Sequence, residues 1–93
     1  MHYRIVIEPE ALQDLNSIID YITNQDSKNK AHIFANKLKE SIASLSEMPM
    51  RCRKSLYAED ENTRDLIYKG YTIVFQVRNT TVHILTIFRQ KAY

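Results

Sequence analysis

Cys52 is the only cysteine in the chain. It excludes an internal disulfide and any zinc site built from cysteine thiolates. That usage suits a reducing compartment, so the expectation is a soluble, cytoplasmic protein. One glycine and two prolines leave few hinges in 93 residues. The chain therefore reads as regular elements joined by short polar turns. No stretch approaches the roughly 20 apolar residues of a membrane span, which excludes a membrane partner of that kind. The opening stretch, His2 to Glu8, alternates too strictly for a secretory leader. His2, His32 and His83 show no metal-ligand spacing, and neither a metal nor a cofactor is expected.

What is present is ordinary for a folded chain. Hydrophobic residues make up 44% and charged residues 26%, which excludes global disorder. The length suits a single domain over residues 1–93. A domain of this size buries only about 60–65% of the surface that its unfolded chain exposes. A partner that covers more apolar surface would therefore stabilise it. The net charge of +2 is unevenly spread. Residues 1–50 carry five Lys/Arg and seven Asp/Glu; residues 51–93 carry eight and four. A polyanion or an acidic partner is expected to meet the second half.

Periodicity divides the chain. Tyr3, Ile5 and Ile7 alternate with Arg4, Val6 and Glu8, which is the period of a strand. Pro9 ends that strand and suits the first turn of a helix, where Glu10 meets the positive helix terminus. Leu12, Leu15, Ile18, Ile19 and Ile22 then form a helical stripe, predicting a helix from Pro9 to Thr23. After the polar break Asn24-Gln25-Asp26-Ser27, the stripe Ala31, Phe34, Ala35, Leu38, Ile42 and Leu45 predicts a second helix from Lys28 to Glu47, ended by Pro49.

Beyond Pro49 the period changes. Met50 to Ser55 is basic with a short extended piece, and Glu59-Asp60-Glu61-Asn62 is an acidic loop. Three strands are predicted after it: Arg64 to Lys69, Tyr71 to Arg78, and Thr81 to Phe88. The junctions at Lys69-Gly70 and Asn79-Thr80 suit tight hairpin turns. Val82 and Ile84 are expected across from the apolar face Ile73, Phe75 and Val77. The fold class is α+β: an N-terminal strand and a two-helix antiparallel hairpin packed on a small antiparallel sheet.

This ordered set resembles the RelE/ParE toxins of bacterial type II toxin–antitoxin systems. Ile7-Glu8-Pro9-Glu10-Ala11-Leu12 is similar to the family opening, and Arg64 to Phe75, with Gly70-Tyr71 at its centre, to the family's central hairpin. Val82 to Arg89 is similar to its last strand. The resemblance implies a growth-inhibiting, plasmid-stabilising toxin held in a hetero-oligomer by a cognate antitoxin. It offers two targets. A ParE-like member inhibits DNA gyrase by protein contact. A RelE-like member is a metal-independent endoribonuclease that cuts mRNA on the ribosome. Many such nucleases carry Arg after the Gly-Tyr pair, where this chain has Thr72. That departure favours the ParE-like branch, and hence a protein that is not an enzyme. An inactive binding module of the same fold is the remaining alternative.

If the chain is a nuclease, the resemblance and the residue chemistry together draft Arg64, Lys69, Arg89 and Tyr93 as its catalytic residues. Cations would stabilise the pentacoordinate phosphate and a side chain would move the proton. The plainer reading is a solvated basic sheet edge. Arg51, Arg53, Lys54, Arg89 and Lys91 are the candidates for contact with a partner or a nucleic acid. Arg51, Arg53 and Lys54 also serve as an ordinary charged loop. Their charges are expected to lower the pKa of Cys52.

Overall fold

The structure, a computed structural model, describes residues 2–89. The chain opens on strand β1 (Arg4–Ile7) and turns into helix α1 (Pro9–Gln25). Pro9 sits at the start of the helix, where its missing N–H costs nothing. The preceding Glu8 does not cap the helix with its side chain. Its carboxylate instead meets His83 Nδ1 at 2.8 Å. Helix α2 (Lys28–Ala43) begins where Ser27 Oγ accepts from the Lys30 amide at 3.1 Å.

Helix α2 stops short of the expected Glu47. A 3-10 turn, Ser44–Ser46, replaces its last turn. Ser44 Oγ donates to the Ser41 carbonyl at 2.6 Å, a local bond that competes with helical pairing. Met48 then takes a left-handed φ of 48°, and Pro49 opens a second 3-10 turn, Pro49–Arg51. No described helix is long and apolar enough to cross a membrane.

Four further strands follow: β2 (Arg53–Lys54), β3 (Thr63–Tyr68), β4 (Tyr71–Arg78) and β5 (Thr81–Arg89). Their order across the sheet is β1-β5-β4-β3-β2. The meander from β2 to β5 is antiparallel, whereas β1 lies parallel to β5. The sheet is therefore mixed, where the sequence predicted an antiparallel one. The physical reason is the long crossover through both helices, which parallel pairing requires. Lys69 (φ 46°) and Gly70 (φ 82°) join β3 to β4 with two positive φ angles, the arrangement that matches strand twist. A Cβ on Gly70 would meet nothing within 4 Å, so the glycine answers to backbone angle and not to space.

The helices cover one face of the sheet. Phe75 pairs with Ile84, Val77 with Val82 and Ile73 with Ile87. These side chains pack with Ala11, Leu15, Leu38, Ile42 and Leu45. Full burial of one such Leu or Phe is worth roughly 1.5–3 kcal/mol. Between Val74 and Phe75 the register slips, because Val74 pairs with Thr86 and Phe75 with Ile84. Leu85 is the extra residue, and this bulge lets Val82, Ile84 and Ile87 all face the helices.

The second face is covered at its centre by the segment between β2 and β3. Ser55 is buried there, and the Tyr57 ring meets Phe88 edge-on at 5.0 Å. Asp60 organises the far end of this strap. Its carboxylate accepts from the Asn62 amide (3.0 Å), Thr63 Oγ1 (3.1 Å) and Gln76 Nε2 (2.7 Å).

Candidate functional site

The basic side chains drafted for phosphate chemistry lie at opposite ends of the sheet. Lys69 occupies the β3–β4 turn, and Arg89 pairs with Tyr71 at the start of β4. Arg64 sits near the beginning of β3, opposite Phe75. At about 3.3 Å per residue, some 16 Å of strand separates Arg64 from that turn. Arg64 is also engaged. Its Nε donates to the Glu61 carbonyl at 2.9 Å and its Nη1 to the Cys52 carbonyl at 3.2 Å. Lys69 Nζ lies 5.7 Å from the centre of the Tyr68 ring. Tyr93 and Lys91 lie outside the described residues.

The Arg51–Lys54 cluster divides by role. Arg51 Nη1 donates to the carbonyls of Glu47 (2.9 Å) and Met48 (3.2 Å), and its Nη2 to Ser44 Oγ (3.1 Å). That guanidinium clamps the turns after α2. Arg53 Nη2 reaches Asp65 Oδ2 at 3.3 Å, and the same oxygen accepts from the Leu56 amide at 3.2 Å. Lys54, on the edge strand, is exposed. Burial pushes the Cys52 thiol pKa up, outweighing the opposing effect of Arg51 and Arg64. The expected lowering is thereby reversed, because sequence proximity shows the cations and not the desolvation.

Thr72 is fully buried, as is nearly all of Asp65. Thr72 Oγ1 and Asp65 Oδ1 are buried side-chain atoms without a hydrogen-bond partner among the described residues. Both belong to the strap-covered face. The position after Gly70-Tyr71 therefore presents no charge to solvent.

Sequence reasoning missed a groove of about 330 Å³ between α1 and the end of the sheet. Ser17, Ile18 and Tyr21 form one wall, Tyr71 and Arg89 the other. Phe34 backs Tyr71 at a ring distance of 5.2 Å. The adjacency of α1 to the end of β5 had no signal in either segment alone. A second trough, of about 530 Å³, runs along the outside of the helical hairpin. Ala31 and Ala35 keep it open, and Lys28, His32 and Lys39 stand around it. Leu56, Tyr57 and Ile67 are exposed apolar side chains of the strap and of β3. No cluster of potential metal ligands occurs among the described residues.

Residues 5–92 match the family described as the ParE toxin of the type II toxin–antitoxin system, parDE. No curated protein matches the chain. Among solved structures, a chain of the chromosomal ParDE toxin–antitoxin system from P. aeruginosa superposes with a TM-score of 0.82 at 20% identity, covering 97% of this chain and 98% of that one. A chain of the RelBE2 toxin–antitoxin complex from Mycobacterium tuberculosis gives 0.68 at 22% identity, covering 97% and 100%. At these identities the likeness is one of fold.

Proposed function

This chain belongs to the ParE toxin family of type II toxin–antitoxin systems, and from that membership we propose that it arrests growth by binding DNA gyrase and is neutralised by a cognate antitoxin. The observation that carries the gyrase reading over the nuclease reading is the dispersal of the basic side chains. Cleaving RNA by attack of its own 2′-oxygen needs a base and cations gathered around one phosphate. Arg64 spends its guanidinium on two carbonyls of its own chain, far along the sheet from Lys69 and Arg89. Inhibition by surface contact asks for no such convergence. An antitoxin partner is supported by the two similar folds, both from toxin–antitoxin complexes.

The test is induced expression in growing cells, paired with a supercoiling assay on purified gyrase. Growth arrest with DNA damage, intact mRNA and loss of supercoiling activity is the expected result. Arrest with cuts inside translated messages, abolished by Arg89→Ala, would overturn the reading in favour of the endonuclease.

A further inference from the structure

Strands β1 and β5 part company within the sheet. Their last pair is Ile7 with Ile84, after which Pro9 carries the chain into α1. Strand β5 continues from Leu85 to Arg89 with β4 as its one strand neighbour among the described residues. The bulge at Leu85 sets the phase of this free edge. The Ile87 amide points away from β4 and donates to Asp14 Oδ2 at 3.0 Å. Two residues on, the Arg89 amide has the same sense, because strand geometry repeats every second residue. The Ile87 carbonyl and the Arg89 amide are thus the acceptor and donor that a neighbouring strand would engage. Among the described residues no strand lies beside them.

The 330 Å³ groove opens at the same place. Its walls are aromatic and aliphatic, with Tyr21 51% exposed and Tyr71 buried. Among the described residues Arg89 is its one charged lining residue, and no carboxylate lines it. Lys69 adds a second cation at this end of the sheet, in the turn after Tyr68.

We propose that this slot receives an extended acidic segment of a partner polypeptide. The segment continues the line of β1 beside β5, pairing with the Ile87 carbonyl and the Arg89 amide. It sets an aromatic or large aliphatic side chain between Tyr21 and Tyr71, and a neighbouring carboxylate on the Arg89 guanidinium. The proposal rests on the reading that an antitoxin holds this toxin; it names the surface and the chemistry of the hold.

The test is selection of displayed random peptides against the full chain. The selected peptides are then titrated against the unaltered protein and against Arg89→Glu, Tyr21→Ala and Lys39→Glu. Lys39 lines the hairpin trough and serves as the control surface. Circular dichroism confirms that each variant is folded. Support is enrichment of an aromatic or aliphatic residue beside Asp or Glu, with affinity falling about tenfold or more in Arg89→Glu, a smaller fall in Tyr21→Ala, and none in Lys39→Glu. Peptides without acidic residues, binding indifferent to Arg89→Glu, or binding lost only in Lys39→Glu would overturn it. Growth arrest by a chain whose binders ignore the slot would leave the toxin reading standing and sink this one. Slot binding without arrest would do the reverse.

Discussion

One oxygen of Asp14 accepts both the Thr86 hydroxyl (2.8 Å) and the Ile87 amide (3.0 Å), joining α1 to the free edge of β5. The amide has no strand to pair with at that point, so a helix side chain satisfies it. Hydrogen bonds to a charged group contribute about 1.5–3 kcal/mol, and a buried donor left alone costs a similar amount. Asp14→Ala is expected to lower the melting temperature by roughly 10 °C. A thermal melt followed by circular dichroism checks it. An unchanged melting temperature would mean that water replaces the carboxylate.

Thr72 offers the opposite case. Its buried hydroxyl has no partner among the described residues. Replacement by a side chain of the same shape removes a polar group without breaking a bond. Thr72→Val is therefore expected to be neutral or to stabilise by up to about 1 kcal/mol. Urea denaturation measures this as a higher midpoint at unchanged slope.

Asp60 links the strap to acid pH. Its pKa is lowered from 3.8, first by the Asn62 amide and then by the Gln76 side chain. A carboxyl whose folded pKa lies below its unfolded value stabilises the fold above the unfolded value. That contribution is lost as pH falls through the folded value. Asp60→Asn should accordingly flatten the stability profile below about pH 4 and leave the slope at neutral pH unchanged. Denaturant midpoints measured across acid pH would show it.

Cys52 should alkylate slowly for a cysteine flanked by arginines. Burial holds its thiol protonated to higher pH than an open cysteine. Iodoacetamide trapping followed by mass spectrometry is expected to give a rate below that of free cysteine at pH 8, rising with further increase in pH. A rate above that of free cysteine would place the thiol in the field of Arg51 and Arg64 instead.

Much of the fold is legible in the residues. The apolar stripes place α1 and α2, and alternation places the strands. The turn at Asn79-Thr80 sets the register of β4 with β5, so that Phe75 and Val77 meet Ile84 and Val82 as expected. What escapes the sequence is set by distance along the chain. Asp14 reads as a helix-surface carboxylate, yet its partner lies 72 positions away. The bulge at Leu85 and the parallel pairing of β1 depend on how the sheet meets the helices. The candidate site fares worse for the same reason: basic residues are visible as a composition, while their partners are not. Arg51, Arg53 and Arg64 look free in the sequence and are each tied to their own chain.

The pairing of Arg4 with Thr81 has a meaning in time as well as in space. During synthesis, β1 leaves the ribosome well before β5, its one strand partner among the described residues. The helices form early, since their contacts are local, whereas closing β1 onto β5 awaits every element between them. Ile5 and Ile7 have no sheet to join until then. The sheet is thus closed by a late, long-range event and not by a hairpin, and until that closure the edge of β5 that β1 will cover stays open.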